Sequence, residues 1–145
     1  MKKLLFILIP LFITVSCDSR VDYLITTEYL YKNSTASKVN MALYDENSIL
    51  IKTIAINPQQ TEMEAFTSDG PENGIIRPFS NNSTVVAKVI LKFESTNKCI
   101  TYMNNQGLLD YKNYDNYDDS MVDKNENTLY FDIGSEEENS SVNCN

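Results

Sequence analysis

Thr84–Phe93, TVVAKVILKF, is the stretch whose reading decides the fold. Val85, Ala87, Val89, Leu91 and Phe93 alternate with Val86, Lys88, Ile90 and Lys92. A two-residue period rich in β-branched side chains predicts a half-buried strand rather than a helix face. The turn Ser95-Thr96-Asn97 and the short run KCITYM (98–103) then predict its hairpin partner. Upstream, KVNMALYD puts Val39, Met41 and Leu43 on one face, with Asn40 and Ala42 opposite. SILIKTIAIN carries Leu50, Ile54 and Ile56 on one side and Ile49, Ile51 and Ala55 on the other, the pattern of a central strand. Leu24–Tyr31 and NTLYFDI (127–133) are further strand candidates, the latter with Leu129, Phe131 and Ile133 inward. QQTEMEAFT (59–67) is a weaker one, because Glu62 and Glu64 share a face with Phe66.

Between these runs lie turn clusters: Asn33-Ser34-Thr35 with Ser37, Asp45-Glu46-Asn47, and a polar stretch from Ser68 to Thr84 interrupted by Ile75 and Ile76. No segment of useful length has helical periodicity. The expectation is an all-β domain, an antiparallel β-sandwich of about 7–8 short strands, with a small barrel as the alternative.

The opening residues MKKLLFILIPLFITVSC place Lys2 and Lys3 before a twelve-residue apolar run, Leu4–Val15, with Ser16 and Cys17 following. Such a run is shorter than the roughly 20 residues a membrane-spanning helix needs, and the layout is that of a secretory signal. A cysteine directly after the cleavage point resembles the bacterial lipoprotein signal, in which that thiol receives a diacylglyceryl group and becomes the mature N-terminus. Thr14 and Ser16 also suit an ordinary signal peptidase cutting the same bond without lipidation. The expected organisation is a signal peptide over 1–16, a lipidated N-terminus and tether over 17–21, a β-sandwich domain over 22–134 and a polar acidic tail over 135–145.

Cleavage leaves 129 of the 145 residues, enough for one domain with a hydrophobic core. Two of the 12 basic residues depart and none of the 20 acids, taking the net charge from −8 to −10. Nucleic acid is excluded as a partner, because phosphate binding rests on clustered Lys and Arg. The chain has no His, so serine–histidine and cysteine–histidine nucleophile systems cannot be built. Nothing places a second carboxylate at a defined distance from Glu62 and Glu64 across a cleft, as glycoside hydrolysis needs. The reading is therefore a protein without catalytic residues.

With Cys17 lipidated, Cys99 and Cys144 remain as an even pair in an oxidising compartment. Cys99 shares a strand face with Thr101, opposite Ile100 and Tyr102, so its sulfur points outward within reach of the tail. A bridge there would be worth about 4 kcal/mol on chain-entropy grounds. The alternative is a semi-buried Cys99 and a free Cys144 on a frayed tail.

The region from Asp110 to Glu138 holds ten acids against Lys112 and Lys124. Within it Asp123, Asn125 and Asn127 have the spacing that opens a calcium loop, but Thr128 and Gly134 stand where the helical hand has Gly and Glu. Calcium is the one candidate cofactor, and a solvated acidic loop is the plainer reading. Tyr111, Tyr114 and Tyr117 recur every third residue among polar neighbours, as flat amphipathic contact area for a protein or glycan. The alternative is that one or two of them cap the core. Asn33-Ser34-Thr35 also matches the N-glycosylation acceptor pattern, with a turn as the simpler account.

From Val85 to Tyr117 the chain shows a long alternating strand ending in Phe93, then Lys98-Cys99-Ile100-Thr101-Tyr102, then Gly107-Leu108-Leu109 with Tyr111 and Tyr114. With Leu129-Tyr130-Phe131, the strand end Tyr31-Lys32-Asn33-Ser34 and the signal, this resembles the small uncharacterised lipoproteins of Bacteroidetes. The resemblance implies a compact β-sandwich tethered to an envelope membrane, at its periplasmic or cell-surface face. The expectation is a lipid-anchored, non-enzymatic binding or structural module meeting an envelope protein or a glycan. Its alternative is a secreted, carboxylate- or calcium-dependent carbohydrate-active or glycan-binding protein. A flat acidic surface would favour the first, a concave acid-lined pocket the second. Cys17→Ser should abolish acyl labelling and move the protein to the soluble fraction, since a diacylglyceryl group with an amide-linked chain supplies more than stable anchoring needs. Unchanged membrane association on fractionation would remove the anchor.

Overall fold

A computed structural model describes residues 23–70, 74–79, 85–113, 116–118 and 126–144. Eight strands form two sheets that pack face to face and do not close into a barrel. They are β1 (Tyr23–Asn33), β2 (Val39–Tyr44), β3 (Leu50–Ile56), β4 (Thr61–Gly70), β5 (Lys88–Phe93), β6 (Lys98–Met103), β7 (Glu126–Ile133) and β8 (Val142–Asn143). Among the described residues a 3-10 turn spans Gly107–Leu109 and one helix, α1, spans Ser135–Ser140. One sheet has the order β4-β1-β7, the other β3-β2-β5-β6-β8.

The alternation of the quoted strand carries directly into the core. Val89, Leu91 and Phe93 of β5 are completely buried beside Val39, Met41 and Leu43 of β2, with Val39 opposite Phe93 and Met41 opposite Leu91. The facing sheet contributes Tyr29, Tyr31, Leu129, Phe131 and Ile133. Each such side chain withdrawn from water stabilises the fold by about 1.5–3 kcal/mol. Tyr31 stacks on Phe79 at 5.3 Å, while Tyr117 meets Tyr29 and Phe131 edge-on, each at 5.5 Å.

The all-β sandwich expected from the sequence is the fold observed, with one strand pairing and one strand position differing from that expectation. The sheets are not purely antiparallel: β7 runs parallel to β1, from Thr26 opposite Glu126 to Asn33 opposite Ile133. The reason is directional. β6 delivers the chain to the end of the sandwich where β1 begins, and β7 starts from there beside β1. Nor is β3 central; among the described residues it is an edge strand, paired with β2 alone. A register shift at Leu43/Tyr44 breaks the pairing just where its apolar residues begin, leaving Ile49 and Leu50 exposed.

β3 and β4 flank the same side of the sandwich and are tied across the sheets by the Lys52–Glu64 ion pair. Opposite them, β7 ends one sheet and β6 with β8 ends the other. The C-terminal segment crosses between these two, so residues 135–143 are not a frayed tail. Cys99 and Cys144 form a disulfide with Cα atoms 5.1 Å apart, and Val142 pairs with Cys99 along β6. The helix is short but well stopped: the Glu137 carboxylate accepts the Gly134 N–H at 2.8 Å, and Glu136, Glu137 and Glu138 sit where the helix dipole favours negative charge.

At the far end from Tyr23, Asn33 ties the strand ends together. Its Nδ2 donates to the carbonyls of Ser37 and Ile56, and its Oδ1 accepts the Thr35 N–H and hydroxyl. Its own N–H donates to the Gln60 carbonyl and its own carbonyl accepts the Gln59 N–H. The side chain is fully buried with all four polar capacities used, so this asparagine is a structural turn residue and offers no amide for glycosylation. Asn33→Asp should destabilise the domain by roughly 3–5 kcal/mol, because a carboxylate would face two buried carbonyls it cannot bond. A denaturant midpoint within error of the unmutated protein would refute this account of the turn.

Candidate functional site

The side closed by the C-terminal crossing holds a broad concavity. It is an open groove of about 970 Å³ running along β7, walled by α1 on one side and by residues 116–118 on the other. Backbone bonds in both directions between Asp118 and Tyr130 hold the 116–118 segment against β7. The period of β7 sends Leu129, Phe131 and Ile133 inward and presents Tyr130 and Asp132 outward. The parallel register sets Lys32 of β1 beside Asp132. From α1, Glu136 is exposed and Glu137 half-buried at the rim.

Tyr102 of β6 forms the inner wall. Its ring lies edge-on to Phe131 at 6.3 Å. Burial, with the Glu137 and Glu136 carboxylates adding, pushes its hydroxyl well above the ordinary tyrosine range. This position depends on Gly107. That residue has φ +45°, and a Cβ there would come within 2.3 Å of the Tyr102 ring. Any side chain would strain the turn and displace the tyrosine.

The predicted site residues are distributed differently. Tyr117 is not contact surface: it is 1% exposed, and its hydroxyl donates to the Leu108 carbonyl at 2.6 Å. Tyr111 is half-buried against the core, with the Lys112 ammonium 5.7 Å from its ring centre. Tyr114 lies outside the described residues. So do Cys17, Asp123 and Asn125. Asn127 is buried, with Nδ2 donating to the Gly74 carbonyl at 2.8 Å and Oδ1 without a hydrogen-bond partner. Among the described residues no three carboxylates or thiols gather as a metal centre would require. Glu62 and Glu64 lie at the margin of the edge strand β4, Glu64 ion-paired to Lys52. A second hollow, of about 380 Å³, sits over the disulfide between Ile90, Thr101 and Val142 and is lined by no titratable side chain.

Lys32, Tyr102, Asp132, Glu136 and Glu137 were not singled out by sequence. Tyr130 and Asp132 carried a signal, as the outward half of an alternating strand. The glutamates carried one too, as acids following a glycine that stops a strand. Their convergence depends on the sheet order, which is non-local. Comparison with family models, with curated proteins and with solved structures finds no match to this chain.

What the groove offers chemically is aromatic surface with carboxylate oxygens at its edge and one lysine. Behind it, burial raises the hydroxyls of Tyr29, Tyr31 and Tyr117 far above their ordinary value near 10. In each case desolvation of the phenolate dominates. The Tyr31 hydroxyl faces that of Tyr117 without a well-formed hydrogen bond of its own. The folded state keeps these protons above pH 10 while the unfolded chain releases them, so stability is intact below that pH and falls above it. The expected slope is about 1.4 kcal/mol per pH unit for each such tyrosine. Tyrosinate absorbance from these residues should appear together with loss of the β-sheet circular dichroism. Their smooth titration near pH 10 in a protein that stays folded would contradict the burial argument.

Proposed function

We propose that this chain is a lipid-anchored module of the bacterial envelope that binds a partner protein and performs no catalysis. The groove along β7 would be its ligand seat. The observation that carries the reading is the groove's composition: Tyr102 and Tyr130 at the wall, with Asp132, Glu136 and Glu137 at the rim against Lys32. Aromatic faces supply contact area at little entropic cost, and a negative rim selects for Lys or Arg on the incoming segment. The anchor at Cys17 is inferred from the signal and would keep this seat near a membrane surface.

A second reading follows from shape, since an acid-lined concavity is the feature expected of a glycan-binding protein; the open form of the groove and the lysine among its acids keep the protein partner first. A concave, acid-rimmed groove with tyrosine walls also suits a glycan, whose hydroxyls bond carboxylate oxygens while its apolar faces lie on the rings. The two differ in salt dependence. Attraction between charged groups is screened at physiological ionic strength and above, whereas neutral sugar recognition is not.

The test is crosslinking of the anchored protein in its native envelope, followed by recovery of the bound species. Asp132→Lys combined with Glu136→Lys should reduce recovery of a protein partner about tenfold or more, and raised salt should do the same to the unmutated protein. Both positions are exposed, so the fold should survive with its melting temperature lowered by no more than a few degrees, Asp132→Lys meeting Lys32 and Glu136→Lys meeting the helix dipole. A bound species retained in full by the double variant would exclude the groove. A salt-insensitive glycan lost from a Tyr130→Ala protein would replace the first reading with the second.

A further inference from the structure

Among the described strands, β4 is the longest at a sheet edge. Its ten residues pair with β1 without interruption, from Tyr23 opposite Gly70 to Lys32 opposite Thr61. Among the described residues nothing pairs with its other side. The Asn33 N–H bonds to the Gln60 carbonyl, just beyond the Lys32–Thr61 pair, and this sets the phase of the ladder. Glu62, Glu64, Phe66, Ser68 and Gly70 therefore bond to β1. The N–H and C=O groups of Thr61, Met63, Ala65, Thr67 and Asp69 point out of the sheet. Met63 is 57% exposed and Ala65 is exposed beside it. A row of outward backbone groups of this length is a template for another strand.

We propose that the occupant is β4 of a second copy of this chain, paired antiparallel about a two-fold axis at Ala65. The charges and the length of the strand together select the register. Centring the pair on Glu64 would set carboxylate against carboxylate, and centring on Met63 would set Glu62 against Glu64. Like charges directly opposite are destabilising. Centring on Phe66 puts Met63 against Asp69 and drops Thr61 from the ladder. Centring on Ala65 pairs Glu62 with Ser68, Glu64 with Phe66, Met63 with Thr67 and Thr61 with Asp69. No like charges meet, and every outward N–H and C=O finds a mate. Glu64 remains free to hold Lys52 in its own copy. The acids of β4 thus act against registers slipped towards its start, and the full length of the ladder favours Ala65 over Phe66. The groove lies on the opposite side of the sandwich, so pairing would leave it uncovered.

Two copies of a chain with net charge −8 repel at long range, so this association should strengthen as salt rises, opposite to the groove's expected behaviour. The deciding experiment uses the full chain in its own cells. In the two-fold register the Cα atoms of the paired residues 65 lie about 5.5 Å apart, within reach of a disulfide. Ala65→Cys should give a dimer on a non-reducing gel that reductant collapses. Thr67→Cys should not, because its own mate lies about 14 Å away, opposite Met63. As a second readout, Ala65→Lys and Ala65→Glu should each lose dimer roughly tenfold or more in sedimentation, and an equimolar mixture should regain it. Equal crosslinking at 65 and 67, none at 65, or a dimer undisturbed by either charged variant would overturn the proposal.

Discussion

The structure depends first on the buried amide of Asn33. Four chain segments arrive at that end of the sandwich: the end of β1, the turn into β2, the end of β3, and the Gln59–Gln60 turn into β4. None of them could leave its backbone groups unpaired away from water, because each orphaned carbonyl or N–H costs about 1–3 kcal/mol. One side chain with two donors and two acceptors satisfies the Ser37 and Ile56 carbonyls and fixes Thr35. Its backbone adds the bonds to Gln59 and Gln60, and the Ser34 N–H reaches the Ile133 carbonyl of β7. Both sheets are therefore held in register at one point, and the phase of β4, including which of its backbone groups face outward, follows from it.

The tyrosine cluster below obeys a different constraint. Tyr29, Tyr31 and Tyr117 bring hydroxyls into a core that could have been made of phenylalanine. Two of these hydroxyls do structural duty: Tyr29 holds the Ile76 carbonyl at 2.6 Å and Tyr117 holds that of Leu108. Irregular segments that carry no sheet ladder are thus fastened to the sandwich by phenols reaching out of the core. The groove inherits its rigidity from this arrangement. Its inner wall, Tyr102 and Phe131, is continuous with the packed aromatics, and Gly107 clears the space the Tyr102 ring needs.

Much of this was legible where neighbours along the chain decide the outcome. Val39–Leu43 and Val89–Phe93 alternate strictly and pack as read. The outward direction of Cys99 follows from the same parity that sends Ile100 and Tyr102 inward. What escaped is set by residues far apart. Ile49 and Leu50 are as apolar as any central strand, yet nothing local says that no neighbour will cover them. Tyr117 has polar residues on both sides in sequence, and only the fold supplies the Leu108 carbonyl that lets it be buried. The Ser135–Ser140 helix is too short to show a period, and owes its place to a glutamate cap and a covalent link beyond it. The groove needed β1, β6, β7 and α1 to be placed before its residues could be seen together.

The parallel pairing of β1 with β7 has a mechanical consequence. β1 is the central strand of its sheet, bonded on one flank to β4 and on the other to β7. Tension entering through the amino-terminal end acts along the strand axis, in the plane of both ladders. The hydrogen bonds are then loaded in shear, all at once, rather than peeled from one end. They must fail together for the strand to slide. The direction from which the chain enters the sandwich thus makes its first strand the part best placed to resist a pull.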